Sequence, residues 1–145
     1  MQSGRPVKRV AVITHNHAEV VKDAVSRLER LAGSMGIEVA SEDDGLDLAV
    51  TLGGDGSMLR AFHRFLDKGV PVIGVNFGRV GFLTSIEAGE LEEGLERVFG
   101  GDFTVVELPA LDVQIGGESW PAVNDVFATS SKLGRMVELG YAVGG

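Results

Sequence analysis

An apolar run over residues 46–52 passes directly into Gly53-Gly54-Asp55-Gly56-Ser57, and this junction constrains the fold more than any other feature of the chain. A nearly unbroken apolar strand suits a position whose two faces are both covered, as in the middle of a parallel sheet. Parallel neighbours need crossover helices, and the flanking sequence supplies them. Residues 9–14 form a short apolar first strand. Over 19–32, Val20, Val21, Ala24, Val25, Leu28 and Leu31 recur at helical spacing, and Gly33 and Gly36 end that helix. A second short strand is expected over 37–40, a helix over 57–66, a strand over 70–76 and a helix over 88–99. Glu42-Asp43-Asp44 reads as a solvated loop. This alternation predicts an α/β fold, a Rossmann-like doubly wound parallel sheet.

The rhythm changes at Gly100-Gly101, and only strand-like runs follow, over 103–108, 111–115, 123–129 and 136–143. The expected boundary is near residue 101, with an α/β domain over 1–101 and the incomplete start of an all-β domain over 102–145. Gly144-Gly145 reads as a hairpin turn without its returning strand, so the expectation is the N-terminal part of a longer protein. A strand edge left unpaired there predicts a homo-oligomer.

Composition narrows the partners. The 145 residues carry 13 Lys+Arg against 21 Asp+Glu, a formal charge of −8, which argues against nucleic acid and against a membrane surface. An anionic ligand must then be held by backbone N–H groups and a few placed cations. The absence of cysteine excludes disulfides, thiolate catalysis and cysteine-based zinc sites. The apolar runs at 10–13 and 70–75 are too short for a signal peptide or a membrane span, and a cytoplasmic location is expected. The chain has 21 glycines, about twice the usual share of ~7%. They gather at the ends of apolar runs, where glycine means positive φ or close approach of the backbone to a ligand.

In Gly53-Gly54-Asp55-Gly56-Ser57-Met58-Leu59-Arg60 a core strand ends in a glycine loop and a hydroxyl residue opens a helix. Ligands of open α/β sheets bind outside the carboxyl ends of the strands, where this loop falls. Gly53, Gly54 and Gly56 let amides approach a phosphate, and the helix N-terminus adds partial positive charge. Asp55 is then placed to act as a general base or to share a Mg²⁺ ion. The plain alternative is a turn with Ser57 as N-cap. A second signal, Gly74-Val75-Asn76-Phe77-Gly78-Arg79-Val80-Gly81-Phe82-Leu83-Thr84, also ends a strand, and the two loops are expected to share one crevice. The third, Asn124-Asp125, is weak alone.

The three motifs in this order resemble the NAD kinase family: GGDG-S-x-L, then G-x-N-x-G-x-x-G-F-L-T, then N-[DE]-V before Arg135-Met136. GGDG also occurs in phosphofructokinases and in diacylglycerol-type lipid kinases; the second motif separates them. The resemblance implies an N-terminal α/β domain, a C-terminal β-domain and an active site between them. It implies that Asp55 takes the proton of the 2′-hydroxyl of the NAD adenosine ribose as that oxygen attacks the terminal phosphate of ATP or polyphosphate, with Mg²⁺ present. Gly56 would join Asp55 in contacting NAD, with Gly53 and Gly54 in the same binding loop, and Arg60 would lie near a phosphate. Asn76 and Phe77 would shape the adenosine or phosphate pocket, Asn124 and Asp125 would hold NAD, and Arg135 would occupy a cationic position in the binding site. It gives no role to His15 and His17, which read as exposed loop residues, and the three histidines have no metal-ligand spacing. A diacylglycerol-type lipid kinase and a non-catalytic nucleotide-binding fragment are the competing functions.

Overall fold

The computed structural model describes residues 2–3, 5–15, 19–79, 81–132, 134–138, 140 and 142. They form two compact units, Met1–Pro109 and Ala110–Gly145. The first contains β1 (Gln2–Ser3), β2 (Arg9–Thr14), α1 (Glu19–Ser34), β3 (Glu38–Val39), β4 (Leu48–Gly53), α2 (Asp55–Phe65), β5 (Val72–Asn76), β6 (Ile86–Glu87), α3 (Leu91–Phe99) and β7 (Thr104–Val105). Its main sheet is parallel throughout, in the order β3-β2-β4-β5-β6.

β4 shows why the sheet carries helices on both faces. Leu48, Val50 and Leu52 point into one cluster with Val21, Ala24 and Leu28 of α1 and Leu91, Leu95, Val98 and Phe99 of α3. Ala49 points the other way, into a cluster with Ala11 of β2 and Ala61 and Phe65 of α2. Bulky residues thus face α1 and α3, while small ones let α2 lie close. Thr51 on the α2 side is fully buried, and its Oγ1 donates to Met58 Sδ of α2 at 3.1 Å. A Cβ on Gly74 of β5 would come within 2.6 Å of the same sulfur, so this glycine is required by packing.

The first unit runs past the boundary expected near residue 101. β7 pairs antiparallel with β1, the Val7 N–H donates to Phe99 O at 3.0 Å, and Phe103 packs against the larger cluster. Gly101 makes this return with φ +94, and a Cβ there would stand 3.0 Å from the Arg5–Pro6 peptide. Residues 102–109 therefore belong with the α/β unit.

The second unit contains one antiparallel hairpin, β8 (Leu111–Ile115) with β9 (Glu118–Ala122), turning at Gly116 and Gly117, both with positive φ. Its register groups Leu111, Val113, Ile115, Glu118, Trp120 and Ala122 on one face and Asp112, Gln114, Ser119 and Pro121 on the other. The strand expected over 103–108 shrinks to β7, and none forms over 123–129, where backbone groups lack a neighbouring strand to pair with. In the run 136–143, residues 136–138, 140 and 142 carry no strand and the rest lies outside the described residues, as does Gly144-Gly145. Among the described residues no helix is long and apolar enough to cross a membrane.

Candidate active site

β4 and β5 end side by side. Gly53 is the register partner of Asn76, and the Phe77 N–H donates to Gly53 O at 3.0 Å. Two glycine loops therefore leave the sheet at the same level, as expected. A Cβ on Gly78 of the second loop would lie 3.7 Å from Gly54 Cα of the first.

Asp55 joins the two loops. Its Oδ2 accepts the Phe82 N–H and its Oδ1 the Leu83 N–H, each at 3.0 Å. These amides, Phe82 first and Leu83 second, hold the carboxyl below the usual carboxylate range, because they stabilise the charged form. At neutral pH Asp55 is ionised, and each oxygen keeps a lone pair for a further donor.

α2 begins at Asp55, two residues earlier than expected, and its N-cap is Gly54, not Ser57. A carboxylate in the first turn suits the helix dipole, and the glycine cap brings no side chain to the first-turn amides. The Ser57 N–H turns back onto Gly54 O at 2.9 Å. The glycines do different work. A Cβ on Gly53 would strike the Ser57 side chain, so Gly53 is structural. Gly54 has φ −111, and a Cβ on Gly54 or Gly56 would meet open space. Positive φ, one of the two sequence-based reasons for these glycines, is absent from all three. The fold does not require Gly54 and Gly56 to lack side chains.

Asn76 is buried, its Oδ1 accepts the Gly78 N–H at 3.0 Å and its Nδ2 donates to Glu87 at 3.5 Å, so the amide shapes the second loop. The Phe77 ring packs against the core. Arg60 is exposed, and its Nη1 lies 2.5 Å from both ring nitrogens of His15. His15 is therefore exposed as expected, yet engaged; His17 lies outside the described residues. Asn124, Asp125 and Arg135 are exposed in irregular segments of the second unit. Sequence reasoning passes over Phe82, whose ring is 94% exposed while its amide is bound to Asp55; an aromatic beside three glycines was the available signal. The acidic loop is also corrected in part: Arg64 of α2 donates to both Asp43 oxygens, at 2.6 and 2.8 Å.

A groove of about 370 Å³ opens beside β6 and α3, lined by Ile73, Ser85, Ile86, Glu90, Glu93 and Arg97 among others. Its acidic rim does not suit an anion. Among the described residues no three acidic or imidazole side chains converge to hold a metal.

Residues 9–103 match the model of the ATP-NAD kinase N-terminal domain. The chain belongs to the NAD kinase family. The NAD kinase of Heliobacterium modesticaldum is 35% identical over 146 residues, covering 97% of this chain and 45% of the relative. That of Gemmatimonas aurantiaca is 39% identical over 117 residues, covering 74% and 39%. The chain thus spans less than half the length of these curated relatives. Among solved structures, an NAD kinase from Archaeoglobus fulgidus in complex with ATP superposes with a TM-score of 0.52 at 29% identity, over 62% of this chain and 36% of that one. The yeast NADH kinase complexed with NADH gives 0.55 at 16% identity, over 81% and 46%, a likeness of fold. Family membership removes the diacylglycerol-type lipid kinase from the alternatives.

Proposed function

We propose that this chain carries the phosphate-binding and proton-accepting half of an NAD kinase site, which transfers a phosphoryl group from ATP or polyphosphate to the 2′-hydroxyl of the adenosine ribose of NAD, giving NADP. The observation that carries the reading is Gly56, a glycine without a conformational or packing need, in the open first turn of a helix that starts with Asp55 and is capped by Gly54. Glycine in a helical turn costs roughly 0.5–1 kcal/mol against alanine. Close approach of an anion to the backbone accounts for that cost.

Asp55 is the catalytic residue in this reading. As the ribose O2′ forms its bond to the terminal phosphorus, the bond from phosphorus to the leaving phosphate oxygen breaks and the hydroxyl proton passes to Asp55. A carboxylate of lowered pKa suffices, because phosphoryl transfer depends mainly on positioning and charge stabilisation. Gly53, Gly54 and Gly56 frame the phosphates, Arg60 adds a cation, and Asn76 and Phe77 hold the second loop in shape. Asn124, Asp125 and Arg135 are proposed NAD contacts on the strength of the resemblance. ATP is the favoured donor, since the Archaeoglobus relative was solved with it. Among the described residues no cage for Mg²⁺ is built: at the glycine loops Asp55 would hold the ion, with phosphate oxygens supplying the other ligands. The ion would screen phosphate charge. A cytoplasmic, self-associating protein fits this reading, with the apolar face of the β8–β9 hairpin as the associating surface.

Calorimetric titration of the chain with NAD and with ATP tests the reading. Binding of both, weakened by Gly56→Ala without loss of fold, supports it; full binding by Gly56→Ala refutes the phosphate cradle.

A further inference from the structure

Thr84 has no part in the proposed reaction, yet it stands between the sheet and Asp55. Two glycines define its surroundings. A Cβ on Gly74 of β5 would come within 2.9 Å of the Thr84 methyl carbon Cγ2, beside Met58 Sδ at 2.6 Å and Thr51 Oγ1 at 3.1 Å. A Cβ on Gly81 would come within 3.0 Å of Thr84 Oγ1, with Asp55 Oδ1 at 2.6 Å from the same point. One half-buried side chain thus serves both places. Its methyl takes the space that a side chain on Gly74 would fill, and its hydroxyl borders the spot that Asp55 also borders.

The seat of the methyl is rigid. Gly74 is the register partner of Thr51 in β4, and Thr51 is fully buried with its Oγ1 donating to Met58 Sδ of α2 at 3.1 Å. Met58 is itself buried, about one turn along α2 from Asp55. The backbone after Thr84 is fixed as well: the Ser85 N–H donates to Gly74 O at 3.0 Å, and Ile86 pairs with Val75. The methyl therefore packs where β4, β5 and α2 meet. A β-branched side chain has little freedom at χ1, so seating one branch sets the direction of the other.

The backbone before Thr84 carries the amides of Phe82 and Leu83, which donate to the two Asp55 oxygens at 3.0 Å each. Phe82 does not hold them by packing, because its ring is exposed. Thr84, one residue beyond Leu83, ties this stretch to the junction below.

We propose that Thr84 is a positioning residue for Asp55: its methyl, wedged over Gly74, holds the chain so that the Phe82 and Leu83 amides meet the carboxylate. The inference rests on the reading of Asp55 as the proton acceptor and adds what keeps that carboxylate in place. The methyl is the working part. Valine at position 84 keeps the wedge and loses the hydroxyl, serine keeps the hydroxyl and loses the wedge, and alanine loses both.

The test compares the wild-type chain, Thr84→Val, Thr84→Ser, Thr84→Ala, Asp55→Asn and the double variant Asp55→Asn/Thr84→Ala at one neutral pH. Hydrogen exchange and the NMR proton shifts of the Phe82 and Leu83 amides are read beside thermal unfolding. In Thr84→Ser and Thr84→Ala those amides should exchange about tenfold faster, as weakening of a bond to a charged group does, and their proton shifts should move upfield. Thr84→Val should keep wild-type values of both. In the double variant the exchange should be little faster than in Asp55→Asn, since the bonds through which Thr84 acts are already impaired. A merely structural threonine would lower the melting temperature of Thr84→Ala without moving those shifts, and that result overturns the proposal. So does a Thr84→Val protein that behaves as Thr84→Ala, because the hydroxyl would then hold the site. If Thr84→Ala does not fold, Thr84→Ser, which removes a single methyl group, decides the matter in the same way. Calorimetric titration of the wild-type chain with ATP and with NAD separates this inference from the reading beneath it. A chain that binds neither refutes the reading, and the positioning role falls with it. A chain that binds them while Thr84→Ser and Thr84→Ala leave the two amides unmoved overturns the role of Thr84 alone.

Discussion

Asp55 Oδ1 stands 2.6 Å from the point that a Cβ on Gly81 would occupy. The same oxygen accepts the Leu83 N–H at 3.0 Å, and Thr84 Oγ1 closes the other side at 3.0 Å from that point. A side chain at 81 and an anchored carboxylate at 55 exclude one another. Gly81 is therefore the residue that lets the second glycine loop fold down onto the first.

Gly81→Ala should release that contact. Overpacking of a tight site costs about 1–3 kcal/mol, and here the carboxylate, the loop or both must move. A lower melting temperature and faster hydrogen exchange at the Phe82 and Leu83 amides are expected. Unchanged protection of those two amides would show that Asp55 does not hold the loop.

Asp55→Asn should act on the loop as well as on proton transfer. An amide offers one acceptor oxygen, so its NH₂ group opposes one of the two N–H donors that the carboxylate satisfies. Turnover in an active enzyme should fall by about 10²–10⁴, the general-base contribution. Acid titration separates the two effects. Because the folded pKa of Asp55 lies below its unfolded value of about 3.9, its stabilising contribution is present above that value and is lost as pH falls through the folded pKa. The stability difference between wild type and Asp55→Asn should be full at pH 6 and should shrink below about pH 4. A difference independent of pH would exclude the ionised carboxylate as the anchor.

The parts of the fold that depend on local pattern are legible in the sequence. Arg9–Thr14 forms β2 as expected, and Glu19 begins α1, because continuous apolar runs and a 3.6-residue period report burial directly. β6 escapes such reading, since Ile86–Glu87 is a strand only through its pairing with Val75 and Asn76 of β5. β9 is similar: it contains Pro121, which an edge strand tolerates, and exists through its pairing with β8. The apolar residues over 123–129 have the composition of a strand without a partner, and composition alone does not make one. At the site, the glycines mark Asp55, but its contacts with Phe82 and Leu83 span 27 and 28 residues and leave no periodic trace. The contact of His15 with Arg60 is equally long-range, and a histidine after a strand has no sequence signature of a partner on a helix.

Gly94→Ala sets helix propensity against packing. In the interior of α3, alanine gains about 1 kcal/mol over glycine. A Cβ there would lie 2.8 Å from Ile86 Cγ2 and 3.0 Å from its Cδ1 and Cγ1, and Ile86 is buried. Crowding of that order costs about 1–3 kcal/mol, so a net loss of stability of about 1 kcal/mol is expected. A raised denaturation midpoint would mean that β6, only two residues long, yields to the new methyl group.

Gly56→Ala and Gly54→Ala together test whether these glycines serve the ligand. Neither position has positive φ or a close neighbour, so the fold opposes neither substitution. At position 56, in the first turn of α2, alanine should stabilise by roughly 0.5–1 kcal/mol. At position 54 glycine is the N-cap, a place where it is preferred to alanine, so that variant should be neutral to slightly destabilised, within about 1 kcal/mol. Ligand binding should respond in the opposite sense to stability. A methyl group over the first-turn amides keeps a phosphate from approaching them, so affinity for ATP should fall in Gly56→Ala even as its melting temperature rises. The measurement is thermal unfolding beside a calorimetric titration of the same preparation. A Gly56→Ala protein that is more stable and binds ATP as tightly as wild type would show that the open glycines of this loop are not there for a phosphate.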